Sequence, residues 1–236
     1  MIVLGIETAT PQSSVALGTE TEILGAVSVS GARAHQEVLV PAIERLLGWT
    51  GVDLGNVGGV AVGTGPGLFT GLRVGVETAK TLSQVLMVPI LGLPSLDALA
   101  FGVRHARRLI AAVIDARRKE VFYAIYRPVP GGVTRESDYV VASPEHLAAE
   151  LQARAEEVLL VGNGAILYRK RLEELGKGVD FASPALGSPN ASALVELSVP
   201  RFLREDFQRP YDVVPLYLRK SDAEIAWDQR ARGIQG

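Results

Sequence analysis

Apolar runs and turn signals follow one another in this chain in an order that occurs twice. Ile2–Ile6 is a short apolar run ended by Glu7-Thr8-Ala9-Thr10-Pro11-Gln12, a turn. Ser14–Leu17 and Ile23–Val29 follow with strand composition, which predicts three strands joined as an antiparallel meander. His35–Trp49 then carries Val38, Ala42, Leu46 and Trp49 at a helical period. Pro41 lies inside that span and predicts a kink or a late start. Val57–Val62 reads as a buried strand, Thr70–Leu86 as a helix and Val88–Leu91 as a strand. In the second half, Leu109–Ile114 and Val121–Tyr126 flank the turn Asp115–Glu120, with Tyr139–Val141 as a third strand. Ser143-Pro144-Glu145 starts a helix, with serine at the N-cap and proline at the first helical position. Val158–Val161 is a strand, and Ala165–Glu174 and Ser192–Leu203 are helices. Two βββαβα units in tandem predict a duplicated α/β protein with a cleft between its halves.

That order resembles the actin-like ATPases and sugar kinases, which are built on the ribonuclease H-like motif; the likeness is one of element order alone. It implies an N-terminal lobe over 1–102 and a C-terminal lobe over 103–212, with a segment of about 213–236 expected to pack back on the first. At 236 residues the chain can bury roughly 70% of its unfolded surface. Its 47% hydrophobic and 21% charged residues are values of a folded domain. A net charge of −2 argues against strong nucleic-acid binding by the chain alone. There is no cysteine, which excludes disulfides, thiolate metal sites and thiol catalysis. The start, MIVLGIETAT, reads as a strand rather than a leader. No uncharged stretch reaches the ~18 residues that would span a bilayer, so a cytoplasmic protein is expected.

The segment Gly63–Gly75, GTGPGLFTGLRVG, holds five glycines in thirteen residues between a strand and a helix. A Walker loop needs Gly-x4-Gly-Lys-Ser/Thr, and no lysine follows at that spacing. The dinucleotide pattern Gly-x-Gly-x-x-Gly fails as well, because Leu68 and Thr70 stand where the third glycine would be. Backbone N–H groups at the helix start leave open an anion site. Within the helix, Gly71, Gly75, Ala79 and Ser83 recur every four residues on one face. Glycine inside a helix costs about 1 kcal/mol relative to alanine, so something must come close to this backbone. Two readings remain: the chain's own sheet or helices, or a helix of another chain.

Glu7 and Asp115 end the first strand of each unit and would face each other across the cleft, where acids could hold a magnesium–nucleotide complex. The alternative is that they cap turns, Asp115 being followed by Arg117, Arg118 and Lys119. His35, His105 and His146 form no i, i+4 pair for zinc. His35, near a helix start, is better placed to cap or hydrogen-bond. No Ser-His-acid arrangement is evident.

Five segments taken in order resemble the TsaB (YeaZ) family: VLGIETATPQSSVAL (3–17), ARAHQEVLVPAIERLL (32–47), GPGLFTGLRVG (65–75), DARRKEVFYAIY (115–126) and PLYLRK (215–220). The resemblance implies a non-catalytic paralogue of TsaD, the subunit that makes threonylcarbamoyladenosine at position 37 of tRNAs reading ANN codons. It implies a heterodimer with TsaD that works with the ATPase TsaE and reaches tRNA through the complex. It also implies threonylcarbamoyl-adenylate supplied by TsaC-type enzymes. The contact implied is a helical bundle, here Val38, Leu39, Ala42 and Leu46 of the first helix with Leu72, Gly75, Val76, Ala79 and Ser83 of the second. The same surface is expected to support a homodimer when the chain is alone. Where TsaD has its metal-binding His-Met-Glu-Gly-His, this chain reads Ser95-Leu96-Asp97-Ala98-Leu99, and leucine cannot ligate a metal. No cofactor is expected to be held firmly here, with ATP and metal in the partner subunits. Rival readings are an actin-like ATPase or kinase using Glu7 and Asp115, a ribonuclease H-like nuclease, and direct tRNA binding through Arg104/Arg107/Arg108, Arg117/Arg118 and Arg169/Arg171.

Overall fold

The computed structural model describes residues 1–31, 35–174 and 178–219. Within them the chain builds two mixed sheets of matching topology. In the first, β1 (Ile2–Glu7) lies between β2 (Gln12–Gly18), which is antiparallel to it, and β4 (Val57–Gly65), which is parallel. β3 (Ile23–Ser30) and β5 (Ile90–Pro94) form the edges, giving the order β3-β2-β1-β4-β5. In the second, β6 (Leu109–Arg117) lies between antiparallel β7 (Glu120–Val129) and parallel β10 (Val158–Val161). β8 (Gly132–Arg135), β9 (Val140–Ala142) and β11 (Val179–Phe181) complete it in the order β11-β10-β6-β7-β8, with β9 also on β7. The central strand of each sheet is apolar on both faces, as a strand covered on both sides requires.

On one face of the first sheet lie α1 (His35–Thr50) and α2 (Phe69–Leu86). Leu39, Ala42, Ile43 and Leu46 of α1 and Val76 and Ala79 of α2 close one core with Leu4, Ile6, Val15 and Val62. Pro41 does not end α1, which runs through it. The second sheet is covered on its outer side by α4 (Pro144–Arg154), α5 (Asn163–Leu167) and α6 (Arg169–Glu173), through Leu147, Leu151, Ala165 and Leu172. The single helix expected over Ala165–Glu174 is thus two short ones, broken at Tyr168.

Two further helices tie the sheets together. α3 (Ser95–Phe101) turns Ala98 and Phe101 to the first sheet and Leu96, Leu99 and Ala100 to the second. α7 (Ala191–Leu203), capped by Asn190 Oδ1 accepting from the Ala193 N–H at 2.9 Å, comes from the sequence of the second unit but packs on the first sheet. Its Ala191 N–H donates to Ser14 Oγ of β2 at 3.1 Å. The chain therefore returns to its first sheet at residue 191, inside the stretch 103–212 that element order assigns to the second lobe. Val213 likewise lies in the first core; residues 220–236 of the segment expected to pack back lie outside the described residues. None of the described helices is long and apolar enough to cross a membrane.

Candidate functional site

β1 and β6 point their C-terminal ends at the cleft between the sheets. The strand–turn–helix Gly63–Gly75 forms one wall, and its Gly65–Pro66 peptide is cis. Leu68 precedes α2 with no side-chain cap. The opposite wall comes from Ala116, Arg117 and Phe122. The cleft, of about 420 Å³, is also lined by His35 and by the chain's own Leu216–Arg219.

That C-terminal segment lies across the opening. The Leu216 N–H donates to Thr64 O at 2.8 Å, and the Tyr217 ring stands 5.0 Å from Phe69. Arg73 Nε donates to the Tyr217 hydroxyl at 3.1 Å, with its guanidinium 4.1 Å above Phe69. Leu218 packs into the core of the second sheet. Arg219 donates to Glu120 Oε2 and to Ala116 O, each at 2.8 Å. Four consecutive residues thus grip both walls.

The acids that sequence places in the cleft are brought to the same end of their sheets, but neither is free to hold a cation there. Glu7 is 1% exposed. Its Oε1 accepts the Ala9 N–H at 2.7 Å, while Oε2 has no hydrogen-bond partner. Gly63 lies directly beneath the carboxyl: a Cβ there would fall 2.1 Å from Oε2. Burial pushes the Glu7 carboxyl up to about 7, partly offset by the hydrogen bond from the Ala9 N–H. Asp115 caps the β6–β7 hairpin, Oδ1 accepting the Arg117 N–H at 2.9 Å. Magnesium wants several converging oxygen ligands. Among the described residues no group of three or more His, Cys, Asp or Glu side chains converges on one point. The pair does not fit a magnesium–nucleotide complex.

His35 starts α1, and its Nδ1 meets Ser13 Oγ at 2.7 Å, so it hydrogen-bonds as its position suggests; burial lowers its pKa. Ser95 Oγ accepts the Gly65 N–H at 3.1 Å, and Leu99 is core. Asp97 Oδ1 accepts both the Tyr126 and the Tyr139 hydroxyls at 2.7 Å, and burial raises the Asp97 pKa. This buried acid joins α3 to the second sheet.

The expected docking face needs correction. Leu39, Ala42, Leu46, Leu72, Gly75, Val76, Ala79 and Ser83 are all buried within the chain's own fold, and Val38 is half-buried. The small-residue stripe serves the turn after β1. A Cβ on Gly71 would lie 2.2 Å from Thr8 O, and one on Gly75 2.2 Å from Thr8 Oγ1. The Thr8 hydroxyl donates to Gly71 O at 2.8 Å. The outward faces of α1 and α2 instead expose Val40 (50%), Trp49 (71%), Val85 (71%) and Met87 (91%). Trp49, which the helical period puts with the core stripe, faces out. The sequence reading also missed the grip of Leu216–Arg219, because a tyrosine between two leucines has no periodicity to mark it.

Two sheets of one topology around a shared cleft define the actin-like α/β class. The activator of 2-hydroxyisocaproyl-CoA dehydratase from Clostridium difficile shares that fold (TM-score 0.52, 12% identity, covering 87% of this chain and 98% of that one). Nearer relatives narrow the class. A family model described as tRNA N6-adenosine threonylcarbamoyltransferase matches residues 19–227. YeaZ from Pseudomonas aeruginosa superposes with a TM-score of 0.79 at 29% identity, covering 92% of this chain and 99% of that one. The tRNA threonylcarbamoyladenosine biosynthesis protein TsaB of Haemophilus influenzae is 31% identical, over 96% of each chain. The chain belongs to the TsaB family.

Proposed function

We propose that this protein is a non-catalytic subunit of the cytoplasmic machinery that forms threonylcarbamoyladenosine in tRNA, and that it works by pairing with a TsaD-type subunit and a TsaE-type ATPase. One observation carries this reading. The cleft in which an actin-like enzyme would hold its nucleotide is bridged by the chain's own Leu216–Arg219, bonded to both walls. The acids beside it are committed to structure: Glu7 is buried against Gly63, and Asp115 caps a turn. On this reading ATP and metal belong to the partner subunits. The contact surface is the outward face of α1 and α2 around Val40, Trp49, Val85 and Met87, large apolar side chains of the kind that mark interaction sites. Alone, the chain would use the same face to pair with a second copy.

The test is reconstitution of tRNA modification from purified TsaD-, TsaE- and TsaC-type proteins with and without this chain. Modification is expected only with it, and Trp49→Glu with Val85→Glu is expected to abolish co-purification with the TsaD-type subunit while the variant stays folded. Turnover of ATP by the isolated chain, or full modification without it, would overturn the reading.

A further inference from the structure

The two lobes are joined in two places of different character. Between the sheets, α3 packs Ala98 and Phe101 on the first and Leu96, Leu99 and Ala100 on the second. Its Asp97 holds the Tyr126 and Tyr139 hydroxyls of the second lobe. Just beyond α3, Arg104 donates to Glu196 of α7 at 2.9 Å. No residue of α3 is among those that line the cleft. At the cleft itself the walls are joined by Leu216–Arg219, and about 420 Å³ of space keeps them from packing on each other.

This strap is anchored unequally. Towards the first lobe it continues a firmly held segment. The Gln208 N–H donates to Ile90 O at 2.9 Å, Gln208 Oε1 accepts the Gly92 N–H at 2.8 Å, and Val213 is 1% exposed. Leu216 and Tyr217 then add the bond to Thr64 and the contacts with Phe69 and Arg73. Towards the second lobe the described hold is the half-buried Leu218 and the Arg219 guanidinium on Glu120 and Ala116 O. The Arg219 and Glu120 side chains are 24% and 38% exposed, so water and salt reach their ion pair. Leu216–Arg219 forms no helix or strand, and lifting it breaks no regular ladder. Segments with few buried apolar contacts and exposed hydrogen bonds open locally at low cost. The firm end belongs to the first lobe, and the breakable end lies on the second.

We infer that Leu216–Arg219 is a releasable latch. Closed, it fixes the angle between the lobes at the cleft. Released from Ala116 and Glu120, it stays with the first lobe, uncovers the wall around Phe122, and lets the lobes part about α3. The latch acts within the single chain, whichever subunits that chain pairs with.

The chain has no cysteine, so a pair of spin labels can be placed without background. Asn56→Cys, just ahead of β4, and Ala153→Cys, in α4, are exposed positions on the two lobes. Their separation is measured in the full chain by pulsed electron resonance, diluted with unlabelled protein so that distances between copies do not contribute. With the latch intact one narrow distribution is expected. Arg219→Ala removes both guanidinium contacts to the second wall and should enlarge a second, separated population about tenfold. Glu120→Gln weakens the same contact from the wall, leaves the strap untouched, and should shift the distribution in the same direction by less. It also provides the answer where Arg219→Ala does not fold. Hydrogen exchange at the Leu216 amide, bonded to Thr64 O on the first wall, should keep its protection in both variants. A distribution as narrow in the folded variants as in the unaltered chain would overturn the inference. Broadening accompanied by lost protection at Leu216 would overturn it too, because the whole segment would then have come away rather than its second end.

Discussion

Gly75→Ala tests whether the small-residue face of α2 is reserved for the chain's own turn. The new Cβ would lie 2.2 Å from Thr8 Oγ1, 3.4 Å from Thr8 Cβ and 3.5 Å from Thr8 Cγ2, so the hydroxyl alone is the obstacle. Thr8 is fully buried and its hydroxyl donates to Gly71 O at 2.8 Å. Relieving the overlap means forcing the hydroxyl out of its rotamer and losing that bond. Overpacking costs about 1–3 kcal/mol, and a buried hydroxyl without a partner about 1–3 kcal/mol more. Alanine returns about 1 kcal/mol through its helix propensity. The net loss is about 3 kcal/mol. Thr8→Ala alone should cost about 1 kcal/mol, the worth of one buried hydrogen bond. In the double variant the obstacle is gone and the propensity gain remains, so stability should return to within about 1 kcal/mol of the wild type. Urea unfolding of the four proteins, with m-values compared, measures the cycle. A neutral or stabilising Gly75→Ala, or additive single changes, would refute the reasoning and return the stripe to a partner's helix.

Two more expectations concern buried acids. The folded carboxyl of Glu7, near 7, lies above its ordinary 4.5, so the folded state binds the proton more tightly than the unfolded chain. The associated cost is absent below the unfolded value, grows as pH rises through this window, and is complete above the folded value, reaching about 3 kcal/mol. Glu7→Gln should be flat over the same range, and a wild-type-minus-variant stability difference that does not change between pH 4.5 and 7 would contradict the burial argument. Asp97→Ala removes the acceptor shared by Tyr126 and Tyr139 and should cost about 3 kcal/mol in urea unfolding, while Asp97→Asn, which keeps an oxygen there, should cost clearly less. Equal losses would mean that the hydroxyls find other partners.

The duplicated strand order was legible because β1, β4, β6 and β10 are apolar runs bounded by turn residues, and such runs advertise themselves whatever they pack against. The partners of α2's small-residue face were not. Spacing shows that Gly71 and Gly75 share a side, and cannot say that Thr8, more than sixty residues earlier, occupies it. The same limit hid the fate of Glu7: a carboxylate at a strand end reads as accessible until Gly63 is seen beneath it. Trp49 keeps the period of α1 yet faces out, since it sits at the helix end beyond the sheet that covers Leu46. The C-terminal grip on the cleft combines a backbone bond, a ring contact and two guanidinium contacts, each with a partner distant in sequence, and no local pattern encodes it.

The placement of α7 bears on how the chain is made. One face of the first sheet, with Val3, Ala16, Ala61 and Leu91, has only Ala98 and Phe101 of α3 against it until residues 191–203 arrive. During synthesis that face stays incompletely covered while the whole second sheet emerges, because domains fold as their segments leave the ribosome. A fragment ending near Gly102 would keep all five strands of its sheet yet lack the helix that seals it, and should aggregate. A circular permutant that begins at Asn190 and joins the α7 segment ahead of β1 would supply the cover first.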